Sequence, residues 1–279
     1  MPVVNVASCP QRSPFRYPGG KTWLTPFMRS WLSGLPRRPE RFVDLFAGGG
    51  SMALLAAAEG FADEVVMVEL DPEVAGVWRA ILEGGAEDLV QQILAIDFTL
   101  ENVVRVLDGE PSAFQTIVKN RARFGGTLAP GASLLVTAET RGLAARWYPE
   151  TLARRIRDIA GYADRVRLIE GDALAVLSTL LDDQAVAIFI DPPYTAAKKR
   201  RLYRYNEIDH VKLFELASGC AGDILMTYDN TDEVKHLCDS YGLSYQPIAM
   251  SSLHHVEMTE LVISLPSHEL RISDRLADT

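Results

Sequence analysis

Asp191-Pro192-Pro193-Tyr194 is the stretch of this chain best suited to chemistry on a planar amine. It sets a carboxylate, a carbonyl held by two stiff pyrrolidine rings and an aromatic face side by side. Asp191 can accept one hydrogen bond from an exocyclic NH2 and the Pro192 carbonyl can accept the other, while Tyr194 stacks on the ring that carries the amine. With both N–H bonds fixed, the nitrogen lone pair turns out of conjugation and toward an electrophile. Positioning and charge placement then supply the catalysis, and no base of unusual pKa is needed. The same tetrapeptide also reads as a strand-ending turn, because Pro-Pro stops both ladder and helix.

A second constellation is Phe42-Val43-Asp44-Leu45-Phe46-Ala47-Gly48-Gly49-Gly50-Ser51. It reads as a short apolar strand, a tight turn and a helix start, with Ser51 placed to cap the helix. Three consecutive glycines let backbone approach a ligand closely. The pattern is neither the G-x-G-x-x-G fingerprint nor a P-loop, since no Lys-Ser/Thr pair follows the glycines. Further on, the apolar run Val65 to Val68 ends in Glu69, Leu70 and Asp71. An acid at the end of a second strand is the usual partner of ribose hydroxyls in nucleoside-binding α/β folds. A third run, Val166 to Ile169, ends in Glu170-Gly171-Asp172-Ala173, where Asp172 reads as a helix cap or as a residue near a bound base.

Tyr17-Pro18-Gly19-Gly20-Lys21, the Asp44 to Ser51 block and Asp191 to Tyr194, in that order with a long insertion, resemble the three motifs of the Dam-type (alpha-group) DNA adenine-N6 methyltransferases. Asn120-Arg121 with Phe124-Gly125-Gly126, Tyr205 with Asp209-His210, and Thr259 to Ile263 are similar to the same family. The resemblance implies S-adenosylmethionine as cofactor and no metal. It implies that Tyr17, Gly20 and Lys21 line the cofactor pocket, and that Asp44, Phe46, Ala47, Gly48, Gly50 and Ser51 surround the methionine part. Glu69, with Leu70 and Asp71, would hold the ribose, Asp172 and Ala173 would lie near the cofactor adenine, and Asp191 would border the cofactor. Asp191, Pro192, Pro193 and Tyr194 would be catalytic, acting on a flipped-out adenine in double-stranded DNA. Asn120, Arg121 and Arg123 would contact DNA at the threshold of the target-recognition region, as would Lys198 to Arg201, Tyr203 and Arg204. A cognate restriction nuclease is among the partners the resemblance admits. Other readings are a cytosine-N4 or ribosomal RNA base methyltransferase, which share the chemistry, and a non-catalytic nucleic-acid-binding module.

To position these residues, strands are expected near 42–46, 65–70, 166–169, 186–190, 223–228, 244–249 and 257–265, separated mainly by helix-like stretches. The fold class is therefore α/β: a Rossmann-like, mostly parallel sheet with an antiparallel edge hairpin, the last two strands being too close for a crossover helix. Residues 1–98 and 151–279 are expected to form the catalytic and cofactor-binding domain, interrupted by a target-recognition insertion at 99–150. The middle of that insertion, Gly125 to Trp147, reads as loops. Phe114 and Phe124 are expected in the core, and Asp229-Asn230 as a helix cap before Thr231 or a base-orienting pair.

The 279 residues, 48% of them hydrophobic, suffice for one α/β core. No run of 18 apolar residues appears, so no membrane span is expected, and no basic and apolar leader precedes Cys9. Three widely spaced cysteines suggest reduced thiols in a cytoplasmic protein. His210, His236, His254, His255 and His268 have no zinc-like spacing to them. The net charge of −9 is unevenly spread: residues 119–157 carry +6 and residues 198–205 carry +5, leaving −20 elsewhere. Lys198, Lys199, Arg200, Arg201, Tyr203 and Arg204 directly follow the amine-binding motif. Cations interleaved with aromatics suit an unstacked nucleic-acid strand.

Overall fold

Alternating side chains along short strands build two apolar layers at once. In β1 (Arg41–Asp44) and β2 (Glu64–Glu69), Phe42, Val65 and Met67 turn to one face, and Val43, Val66 and Val68 to the other. Burying each such side chain contributes about 1.5–3 kcal/mol. With β3 (Val166–Glu170), β4 (Val186–Ile190), β5 (Asp223–Asp229), β6 (Ser244–Ser251) and β7 (Glu257–Ser264), they form a seven-stranded sheet of order β3-β2-β1-β4-β5-β7-β6. The computed structural model describes residues 9–17, 20–129, 131–134, 142–193, 205, 207–251 and 257–266.

The pairs β1–β2, β2–β3, β1–β4 and β4–β5 are parallel, whereas β7 runs antiparallel to both β5 and β6. This is the Rossmann-like arrangement expected of a methyltransferase, with the closing hairpin folded so that β7, the last strand, lies inside the edge. Strand order reverses between β1 and β4, the crevice where open α/β sheets bind ligands.

Helices cover both faces. α1 (Thr25–Gly34), α2 (Ser51–Glu59), α3 (Pro72–Leu82), α4 (Ala86–Ala95), α5 (Leu100–Leu107), α6 (Ala113–Ala122) and α7 (Pro149–Ala160) pack on one side. α8 (Ala173–Ser178), α9 (His210–Ser218) and α10 (Asp232–Tyr241) pack on the other. Helix starts follow local chemistry: Asp71, Asp172, Asp209 and Thr231 each accept a backbone N–H in the first turn of the helix they precede. Thr231 itself is the cap of α10, so Asp229-Asn230 is not.

The described part of the long connection from β2 to β3 shares its interior with the sheet. Val103, Ile117, Val118, Leu128, Leu143 and Trp147 join the same apolar cluster as Met67 and Trp78. Trp147 stacks on Phe98 at 4.1 Å between centroids. Its middle contains two short 3-10 turns, Phe124–Gly126 and Leu143–Arg146, and a bridge between Arg123 and Leu134, loop structure as expected for the part described. Phe114 is partly buried against the core, but Phe124 is 69% exposed, contrary to expectation. It stands on a turn whose neighbours Gly125 and Gly126 both adopt positive φ, and none of the described residues packs over it to exclude water. Among the described residues no helix is long and apolar enough to cross a membrane. The three cysteines are free and buried.

Candidate active site

The glycine turn after β1 is squeezed from two sides. A Cβ on Gly48 would lie 2.6 Å from the Tyr17 ring, one on Gly49 2.8 Å from the Tyr17 Cβ, and one on Gly50 2.7 Å from Met67 and 2.9 Å from Trp78. Gly48 and Gly50 also hold φ of +47° and +67°, which side chains resist. Trp78 Nε1 donates to the Gly48 carbonyl at 2.9 Å and fixes the turn from below. The glycines are thus demanded by protein packing as well as by any ligand. Gly50, in the left-handed conformation, occupies the cap position of α2 without a side-chain bond, so Ser51 is the first helical residue and does not cap. At the start of α2 the Ala53 N–H is taken by Asp44, while Ser51 and Met52 border the cleft.

That cleft encloses about 1020 Å³ of empty space, open solvent at its mouth included. Tyr17, Gly20, Lys21, Asp44, Phe46, Ala47, Gly48, Gly50, Ser51, Glu69, Leu70, Asp71, Asp172, Ala173 and Asp191, the residues singled out for the cofactor, all line it. Four of the six carboxylates on its wall, Glu69, Asp71, Asp172 and Asp44, differ in their occupation. Glu69 accepts the Gly48 N–H on one oxygen and the Asp71 N–H on the other, both at 2.8 Å. Asp71 and Asp172 act as helix caps. Asp44 accepts the Ala53 N–H on Oδ2 at 3.3 Å, while its buried Oδ1 has no hydrogen-bond partner. Burial pushes both Asp44 and Glu69 up to about 7, with Asp191 adding to the effect at Asp44 and Asp71 at Glu69.

Asp191 follows β4 directly. Its Oδ1 receives the Lys21 ammonium at 2.9 Å and the Thr227 hydroxyl at 2.8 Å. Glu260 on β7 holds the far side of the same ammonium at 3.4 Å. Burial alone would depress Lys21, but Asp191 and Glu260 outweigh it and hold the ammonium above its ordinary range. Beside this group the wholly buried Tyr228 pairs its hydroxyl with His210 Nδ1 at 2.9 Å, and burial raises its phenol well above the usual value. Pro192 is buried and Pro193 lines the cleft. Tyr194 lies outside the described residues. Sequence reasoning missed Thr227 and the pairing role of Glu260. The available signal was a polar residue inside each of two apolar strands, Ile224 to Tyr228 and Leu261 to Ile263 with Glu260 at its start.

The residues expected to touch DNA divide. Asn120 is fully buried: its Oδ1 accepts the Arg16 N–H at 2.9 Å, and its Nδ2 donates to the carbonyls of Arg16 and Gly126 at 3.1 and 2.5 Å. Arg121 is 5% exposed and donates to the Pro14 carbonyl at 2.5 Å. The DNA-contact reading of both is corrected here. They anchor residues 14–16 to α6, the Asn120 amide through both its oxygen and its nitrogen and Arg121 through Nη2. Arg123 is half-buried against the carbonyls of Leu128 and Ala129. Arg16, Arg121, Arg146 and Arg155 cluster without a carboxylate partner among the described residues. Burial and mutual repulsion lower Arg16, which faces Arg146, and bring Arg121 down to about 10. Exposed Phe124 and Tyr148 add aromatic surface. Lys198, Lys199, Arg200, Arg201, Tyr203 and Arg204 lie outside the described residues.

Residues 17–105 match the family model of the D12 class N6 adenine-specific DNA methyltransferases, in agreement with the resemblance read from the motifs. No curated protein matches the chain in sequence. Among solved structures, the rRNA methyltransferase aviRa from Streptomyces viridochromogenes is similar with a TM-score of 0.40 at 13% identity, over 88% of this chain and 85% of that one. The precorrin-6y C5,15-methyltransferase from Geobacter metallireducens GS-15 gives 0.39 at 11% identity, over 90% and 92%. The family match is confined to residues 17–105, and the strand order is the Rossmann-like one that the motifs led us to expect.

Proposed function

We propose that the chain transfers a methyl group from S-adenosylmethionine to the exocyclic N6 amine of an adenine flipped out of duplex DNA. The observation that carries this reading is the position of Asp191: one carboxylate oxygen is fixed by Lys21 and Thr227, and the residue lines the same cleft as the glycine turn and Glu69. The residues fit the cofactor. The unpartnered Asp44 Oδ1 suits a cationic group, the N–H groups of α2 suit a carboxylate, and Glu69 keeps lone pairs for ribose hydroxyls. When bound, S-adenosylmethionine supplies an electrophilic methyl on a sulfonium that leaves as a neutral thioether.

Asp191 Oδ2 and the Pro192 carbonyl would each accept one N–H of the amine, aiming its lone pair into the cleft. With the nitrogen lone pair spent on the incoming methyl, positive charge would grow on nitrogen, and Asp191 would stabilise it where it develops. The surplus proton then leaves through Asp191 to solvent. The family match at residues 17–105 favours adenine in DNA over the cytosine and RNA alternatives. Extruding the nucleotide costs on the order of a few kcal/mol. The arginine cluster near Arg16, with exposed Phe124 and Tyr148, supplies charge and stacking surface for the backbone and the opened stack, so the 99–150 insertion serves as the target-recognition region.

Incubation with S-adenosylmethionine and unmethylated duplex DNA, followed by digestion to nucleosides and mass spectrometry, should yield N6-methyladenine nucleoside. Methylcytosine, or product only with RNA, would replace the assigned target. Cofactor binding should also be proton-linked. Asp44 and Glu69 titrate near 7, so near neutrality each is partly protonated, and a cationic ligand against Asp44 favours the carboxylate. Protons are therefore released on binding, and affinity rises with pH between about 6 and 8. Calorimetry in two buffers of different ionisation enthalpy measures this. Equal heats in both would remove the carboxylates from the cofactor site.

A further inference from the structure

Three residues on separate parts of the chain converge on one oxygen of Asp191. The β4–β5 register pairs Ile190 with Met226, so the next residue of β5, Thr227, arrives beside Asp191 and donates its hydroxyl at 2.8 Å. Lys21, just before the turn that leads into α1, reaches the same oxygen at 2.9 Å. β7 lies beside β5 with Glu260 opposite Asp229, which brings its carboxylate to 3.4 Å from the Lys21 ammonium. Lys21 and Glu260 are each 5% exposed and Thr227 is fully buried. A buried ion pair is weak as a source of stability, because desolvation consumes most of the Coulomb gain and apolar residues of similar volume often do as well. Its placement against the amine-binding carboxylate calls for a different account.

We propose that Lys21, Thr227 and Glu260 form a clamp that positions Asp191, with Glu260 acting through Lys21. Both donors lie on Oδ1, which fixes the carboxylate plane and turns Oδ2 to the cleft. Lys21 and Asp191 alone would form a neutral pair and a poor acceptor. Glu260 restores one net negative charge to the group, so Asp191 can answer the positive charge that grows on the amine nitrogen. Lys21 on this account serves the carboxylate before it serves the cofactor. The inference rests on the proposed role of Asp191.

The test compares Glu260→Gln, Thr227→Val, Lys21→Met and the Lys21→Met/Glu260→Gln double variant with the unmutated protein. It reads kcat and KM on whichever acceptor is methylated, cofactor Kd by calorimetry, and Tm. Glu260→Gln should lower kcat about 10-fold and Lys21→Met about 100-fold. Thr227→Val should lower it several-fold, and cofactor Kd and acceptor KM should stay within about twofold throughout. The double variant should be no slower than Lys21→Met, because Glu260 has no route to Asp191 once the ammonium is gone. A merely structural role would move Tm without this coupling in kcat. Retained kcat in folded Glu260→Gln, additive losses in the cycle, or cofactor Kd rising in step with the loss of kcat would each overturn the clamp. The identity of the product tests the function separately: a methylated base other than adenine removes that reading and leaves the clamp to stand or fall on the ratios. No product with any acceptor removes both.

Discussion

Asp191→Asn should lower turnover by about 10²-fold or more while cofactor affinity stays nearly unchanged, as expected for losing one partner of the transition state. The geometry makes the substitution more damaging than its near-identical shape suggests. Lys21 and Thr227 both donate to Oδ1, so the new amide must offer them its oxygen, and its NH2 is then turned toward the cleft. A donor would face the N–H of the target amine where an acceptor is required. Asp191→Ala should be equally slow but less stable. It strips the buried ammonium of its nearer counter-ion, and breaking a buried pair by removing one partner costs about 3–5 kcal/mol. Single-turnover methyl transfer beside thermal unfolding separates the two effects. Full turnover in a folded Asn variant would show that another residue holds the amine.

Asn120→Ala should reduce stability by about 2–4 kcal/mol, because three hydrogen bonds are lost together, leaving the Gly126 carbonyl buried and the Arg16 backbone part-buried without that partner. At this chain length that corresponds to a Tm lower by roughly 3–7 °C. The loss should also reach the cleft: Arg16 precedes Tyr17, whose ring closes over Gly48 and Gly49, so cofactor affinity should fall about 10-fold. A variant with unchanged Tm and cofactor affinity that loses only DNA binding would return Asn120 to the interface with nucleic acid.

The sheet was readable because its strands are short apolar runs ending in acids, glycines or prolines, and all seven lie where those runs predict. The cleft was readable for the same reason: Asp44, Glu69, Asp172 and Asp191 all stand at carboxyl ends of parallel strands, and a parallel sheet gathers such ends on one edge. What a sequence hides is the partner a polar side chain finds across the fold. Asn120 and Arg121 look like surface contacts until the residues at 14–16 are seen to lie on them. Phe124 looks like core until its turn is seen to leave it in water. Ser51 resembles a cap, but the left-handed backbone of Gly50 already fills that place.

Lys21 and Glu260 meet although the first precedes every strand of the sheet and the second sits in the last. A ribosome therefore delivers the glycine turn, Asp44 and Glu69 long before the carboxylate that completes the surroundings of Asp191. A nascent or truncated chain ending before β7 would hold most of the cleft wall yet lack the Glu260 carboxylate beside the Lys21 ammonium. On the proposed role of Glu260, such a chain would turn over more slowly than one whose final strand is in place.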